Sequence, residues 1–104
     1  MGTGGLKDSW VLDNVISGIK GEGIALLAGN TNNVVRNNTV TNNDRDGIQV
    51  GAGATDNTFE ANEILGNGTI PGYVDARDDA WGFNVWRGNV CLTDSPSGRI
   101  CGVG

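Results

Sequence analysis

Three carboxylates stand where a bound cation could share them. Glu22 and Asp46 are 24 residues apart, and Asp44 lies two before Asp46. In a chain that coils once every 24 residues, Glu22 and Asp46 would face the same way. Two or three carboxylates so placed could hold Ca²⁺, which takes several hard oxygen ligands. The stretch also carries its own counter-charge. Lys20 lies 24 residues before Asp44, and Arg45 sits between Asp44 and Asp46, so the competing reading is a surface ion pair worth at most about 1 kcal/mol. Asp78 and Asp79 could supply the paired carboxylates of glycosidic hydrolysis, against the plainer expectation of a solvated loop. Tyr73, Arg77 and Trp81 have a carbohydrate-binding composition, because aromatic faces stack on sugar rings and an Arg forks onto a uronate carboxylate. The competing role for Trp81 is to plug the end of the core. No cofactor other than Ca²⁺ is implied.

A repeat must position these residues. Gly23-Ile24-Ala25-Leu26-Leu27-Ala28-Gly29 aligns with Gly47-Ile48-Gln49-Val50-Gly51-Ala52-Gly53, and the 24-residue offset persists to Asn43 and Asn67. It extends back through Val11, Asn14 and Ile16, and forward with an offset of 27 to Asn84, Trp86, Asn89 and Cys91. Three extra residues near Thr69-Ile70-Pro71 account for that change. A period of this length marks a solenoid, and about three and a half units sit near the minimum at which stacking becomes self-supporting. Apolar residues alternate with period two in short runs, as in Ile24/Leu26 and Ile48/Val50, while Gly, Asn and Asp fill the turns. The expected fold is all-β, a parallel solenoid of three to four coils. Stacking places residue i beside i+24, roughly 4.8 Å away. The inward columns are then Val11/Val35/Phe59/Trp86, Ile16/Val40/Ile64/Cys91, Ile24/Ile48 and Leu26/Val50. Asn14/Asn38/Asn62/Asn89 form an amide column with a structural role.

Composition narrows the function. Net charge is −5 with no histidine, which argues against a nucleic-acid partner and removes the usual neutral-pH general base. An anionic polysaccharide remains open, since a local basic patch can oppose the net sign. No apolar run is long enough to span a membrane as a helix. Thr31/Thr55 is too short a threonine rank for an ice-binding face.

The tail leaves the repeat after Cys91. Cys91 and Cys101 are the only cysteines, and Pro96-Ser97-Gly98 between them reads as a reversing turn. A disulfide closing this loop would contribute about 2–3 kcal/mol in the chain-entropy model and imply an oxidising compartment; two free thiols are the alternative. Residues 1–8 read as a start or linker, 9–91 as coils, and 92–104 as a capping loop and tail.

The unit Asp46-Gly47-Ile48-Gln49-Val50, followed by Asn57-Thr58-Phe59-Glu60-Ala61-Asn62-Glu63-Ile64, resembles the right-handed parallel β-helix repeat of pectate-lyase-like proteins. The ending from Asn84 to Cys101 resembles the last coil of secreted bacterial members. This implies a secreted protein, of which the chain would be the C-terminal part. The superfamily includes lyases, hydrolases, epimerases, phage tail proteins and many members of unknown role, so fold alone does not select an activity. The Asn-Thr-Asp, Gly-His-Gly and Arg-Ile-Lys motifs of polygalacturonase-like hydrolases do not occur here. The expectation is therefore a non-catalytic module, structural or carbohydrate-associated. The alternative is a lyase or hydrolase fragment acting on uronate-containing glycans. If no coil precedes the first one, its strand edges are unpaired and would recruit a second copy, so self-association is expected at the N-terminal end.

Overall fold

The computed structural model describes residues 6–101 together with the backbone of Gly2–Thr3. Strands recur in threes along the chain. The first set is β1 (Gly2–Thr3), β2 (Trp10–Leu12) and β3 (Val15–Ser17). The second is β4 (Ile24–Leu26), β5 (Val34–Arg36) and β6 (Thr39–Thr41). The third is β7 (Ile48–Val50), β8 (Thr58–Glu60) and β9 (Glu63–Leu65). Then come β10 (Ala76–Asp78), β11 (Val85–Arg87), β12 (Val90–Cys91) and β13 (Asp94–Ser95). Like strands stack into three sheets, in the orders β1-β4-β7-β10-β13, β2-β5-β8-β11 and β3-β6-β9-β12. Every pairing is parallel, and Val11, Val35, Phe59 and Trp86 fall in one register line. The fold is an all-β parallel solenoid of about three turns, with no helix among the described residues.

The central residue of each three-residue strand in the second and third sheets points inward, and so does Cys91 of β12, as the period-two pattern predicts. Val35, Val40, Phe59 and Ile64 are fully buried, as are Ile24, Leu26, Ile48 and Val50 of the first sheet. Trp86 closes the column above Phe59, with ring centroids 4.1 Å apart and planes 13° from parallel. A core only a few side chains wide leaves little room at the corners. A Cβ at Gly47 would lie 2.5 Å from both the Asp75 carbonyl oxygen and Ile64 Cγ2.

Amide columns tie the corners together. Asn38 Oδ1 accepts from the backbone N–H and the Nδ2 of Asn14, while Asn38 Nδ2 donates to Asn62 Oδ1 and to the Val11 carbonyl. Asn62 repeats this towards Asn89. The same pattern links Asn33, Asn57 and Asn84, and links Asn43 to Asn67. The buried amides of Asn33, Asn38, Asn57 and Asn62 are thus satisfied by the coils on either side, as such groups require. The turn beside the Asn14 column is made by Asp13, Asn37, Ala61 and Gly88, all with positive φ.

The change of register has a different origin from a simple three-residue insertion. From the end of β6 to the start of β7 the chain advances seven positions, and from β9 to β10 eleven; from β7 to β8 it advances eight, and from β10 to β11 seven. Four residues are gained before β10 and one is lost after it. β10 therefore lies in a segment that sequence alone presents as irregular. Its inward residues are Ala76, which is small, and Asp78, which is polar, so the apolar alternation that marks β4 and β7 is absent.

The Cys91–Cys101 disulfide is formed, with Cα atoms 4.9 Å apart. Between the two cysteines, β13 pairs with β10 and Ile100 enters the core. The tail thus adds a rung to the first sheet as it closes the end.

Candidate functional site

Arg77 is the central, outward residue of β10, which aims its side chain away from the core. The guanidinium is held from two directions. Its Nε donates to Asp46 Oδ2 at 3.0 Å and its Nη2 to the Gly72 carbonyl at 3.1 Å. Asp46 is 1% exposed, and its Oδ1 accepts from the Val74 N–H at 2.9 Å. A buried carboxylate that takes one charged and one backbone donor is a fixed anchor, because leaving it unpaired there would be costly. Arg77 keeps a quarter of its side chain exposed, with Nη1 making no hydrogen bond among the described residues. Such a clamped fork is suited to receive an external carboxylate.

The neighbours of Arg77 follow from sheet register. Gln49 of β7 and Ser95 of β13 are its partners on either side, and all three are half-buried. Tyr73 lies in the long connection before β10, with the Arg45 guanidinium 5.7 Å from its ring centroid. Trp81, 42% exposed, lies in the turn after β10, and exposed Phe83 follows it. Arg77 is thus the outward residue of β10, with Tyr73 in the connection before the strand and Trp81 in the turn after it.

The carboxylates Glu22, Asp44 and Asp46 are not brought to one point. Asp46 turns to Arg77, Asp44 Oδ1 accepts from Thr69 Oγ1 at 2.8 Å, and Glu22 is half-buried on the preceding coil. Among the described residues, no three acidic, Cys or His side chains are grouped to hold a metal ion. Lys20 is exposed and forms no ion pair among the described residues. Asp46's partner is Arg77, 31 positions on, across the insertion that breaks the 24-residue register. Sequence spacing could not reveal it.

Asp78 and Asp79 diverge, because Asp78 is the last, inward residue of β10 and Asp79 already belongs to the turn that follows it. Asp78 is buried and accepts from Trp86 Nε1 and the Ala80 N–H, each at 2.8 Å. Asp79 is exposed. The expectation of a solvated loop is corrected for Asp78, which satisfies the indole of the core-closing Trp86. Asp75 is a buried acid that sequence reading missed. Its Oδ1 accepts from the N–H and Nδ2 of Asn67, and its Oδ2 from the Leu92 and Thr93 N–H groups. It ends the amide column that Asn43 and Asn67 begin. The signal lay in that column lacking a third asparagine at either offset.

The architecture defines a class, the parallel β-solenoids with stacked short strands and amide-lined corners. Residues 2–93 match the family model for a right handed beta helix region, and the chain belongs to that family. Comparison with curated proteins and with solved structures gives no match.

Proposed function

We propose that this chain is a non-catalytic β-helix module of a secreted protein that binds uronate-containing polysaccharide across the face centred on Arg77. The observation that carries this reading is the Arg77 guanidinium, fixed by buried Asp46 at the outward position of β10, with Tyr73 in the connection before that strand and Trp81 in the turn after it. Arg77 supplies the carboxylate fork and the aromatic rings supply stacking surfaces. The formed disulfide supports an oxidising, extracellular setting. Self-association through the N-terminal coil is part of the same proposal. It is supported by β1, β2 and β3 being the outermost strands of all three sheets at one end.

Titration with oligogalacturonate tests the binding. We expect saturable binding to the acidic oligomer and at least ten-fold weaker binding to a neutral oligomer of equal length. Arg77→Ala should lower the affinity about ten- to a hundred-fold, the loss of a charge-assisted hydrogen-bonding group of about 1.5–3 kcal/mol. Equal affinity for the neutral oligomer, or an unaffected Arg77→Ala variant, would refute the reading. Release of unsaturated uronides absorbing in the ultraviolet would instead establish lyase activity.

A further inference from the structure

We propose that the C-terminal capping loop forms part of the binding face around Arg77, and that the Cys91–Cys101 disulfide controls ligand affinity there. This inference rests on the uronate-binding reading and names how that site is regulated. Ser95 is the register partner of Arg77, so its side chain lies one rung along the outward line Gln49, Arg77, Ser95. A ligand carboxylate on Arg77 therefore has the Ser95 hydroxyl as its next polar neighbour towards the C-terminal end.

What holds Ser95 there is the closed loop. β13 has only two residues and two partners, Ala76 and Arg77. Up to Thr93 the chain is pinned by Asp75, which accepts the Leu92 and Thr93 N–H groups. Beyond it, the Asp94 carboxylate gathers the N–H groups of Gly98, Ile100 and Cys101 at 2.7–2.8 Å. These contacts fold the loop onto itself. The covalent link from Cys101 to Cys91, a buried core residue of β12, ties the folded loop to the solenoid. Ile100, 1% exposed, is the one large apolar anchor within the loop. A dithiol reductant transfers two electrons and two protons, so that the S–S bond becomes two thiols and the reductant becomes a cyclic disulfide. The loop then keeps only Ile100 and the two rungs of β13, and it can lift Ser95 from beside Arg77. Cys101 is half-buried, which leaves its sulfur within reach of a small dithiol.

The test is oligogalacturonate titration of the intact protein before and after reduction by dithiothreitol, with amide hydrogen exchange recorded on both forms. We expect reduction to weaken binding at least five-fold and to speed exchange at Ile100 and Cys101, while Asn38 and Asn62 stay protected. Ser95→Asp in the oxidised protein provides a second route that leaves the disulfide intact. An added carboxylate beside Arg77 should weaken binding of the anionic oligomer at least ten-fold. Tight binding that is unchanged by reduction, or unchanged by Ser95→Asp, overturns this inference and leaves the uronate reading standing. No binding by the oxidised wild-type protein overturns both.

Discussion

Ala61 is the residue at which this chain departs furthest from its own turn chemistry. It has φ 55°, in a column whose other members are Asp13, Asn37 and Gly88. An L-residue with a Cβ costs roughly 1–2 kcal/mol in the left-handed region, while Gly and Asn tolerate it. Ala61 is exposed, so replacing it disturbs no packing. Ala61→Asn should raise stability by about 0.5–1 kcal/mol, read as a higher urea midpoint at unchanged slope; a lower midpoint would count against the argument. The buried amides lie at the other extreme. Asn62→Ala removes the acceptor for two donors of Asn38 and the donor for Asn89 Oδ1 and the Val35 carbonyl. At about 1–3 kcal/mol for each orphaned buried group, the expected loss is about 3 kcal/mol or more. Asn14→Ala, at the exposed end of the same column, should cost under about 1 kcal/mol. Comparable losses for the two variants in urea unfolding would mean that the column does not act through buried satisfaction.

At the scale of elements, the capping loop is folded onto itself by a single carboxylate, that of Asp94. Burial raises the Asp94 pKa, but hydrogen bonds from the Cys101, Gly98, Ile100 and Arg99 N–H groups outweigh it and hold the group below its ordinary 3.8. A depressed native pKa gives stability that is present above the unfolded value near 3.8. It is lost as pH falls through the lower native value. The cap should therefore loosen only below about pH 4, with the protection of the Gly98, Ile100 and Cys101 amides relative to their intrinsic exchange rates falling there in the wild type. Asp94→Asn should show fast exchange at these amides already at neutral pH. Equal protection in the two proteins at neutral pH would show that the disulfide and Ile100 suffice without Asp94. The other distinctive element, β10, illustrates how an element without an apolar pattern can still be a strand. Its neighbours β7 and β13 supply the ladder, and the inward Asp78 is accommodated because Trp86 and Ala80 donate to it.

For the molecule as a whole, the two ends differ. At the C-terminal end, β13, Ile100 and the disulfide close the first sheet and the core. At the N-terminal end, β1, β2 and β3 are outermost, and Trp10 and Val15 are strongly exposed on the first coil. Outermost strands are templates for further pairing, and this is what supports the proposed self-association at this end. Light scattering of the oxidised chain should give a mass of at least two copies, and Trp10→Pro in β2 should shift it towards one, since the Trp10 N–H faces away from β5 and Pro removes that edge donor. A wild-type monomer at tens of micromolar would refute self-association.

The amino-acid sequence by itself determined the period, the inward columns and the amide ladders. Each of those features repeats a residue type at the spacing of one coil, so contact partners can be read by counting. Val35 on Phe59 and Asn38 on Asn62 lie where the count places them. The cysteine pair is legible too, and the disulfide expected from it is formed. Counting fails where the coil length changes, and the candidate site lies there. Only the tertiary structure decided that Asp46 holds Arg77, that Asp75 ends an amide column, that Asp78 points inward, and that Ser95 stands beside Arg77. The physical reason is that these contacts are set by the path of the extended connection before β10 and by the docking of the cap. Neither leaves a periodic trace in the chain.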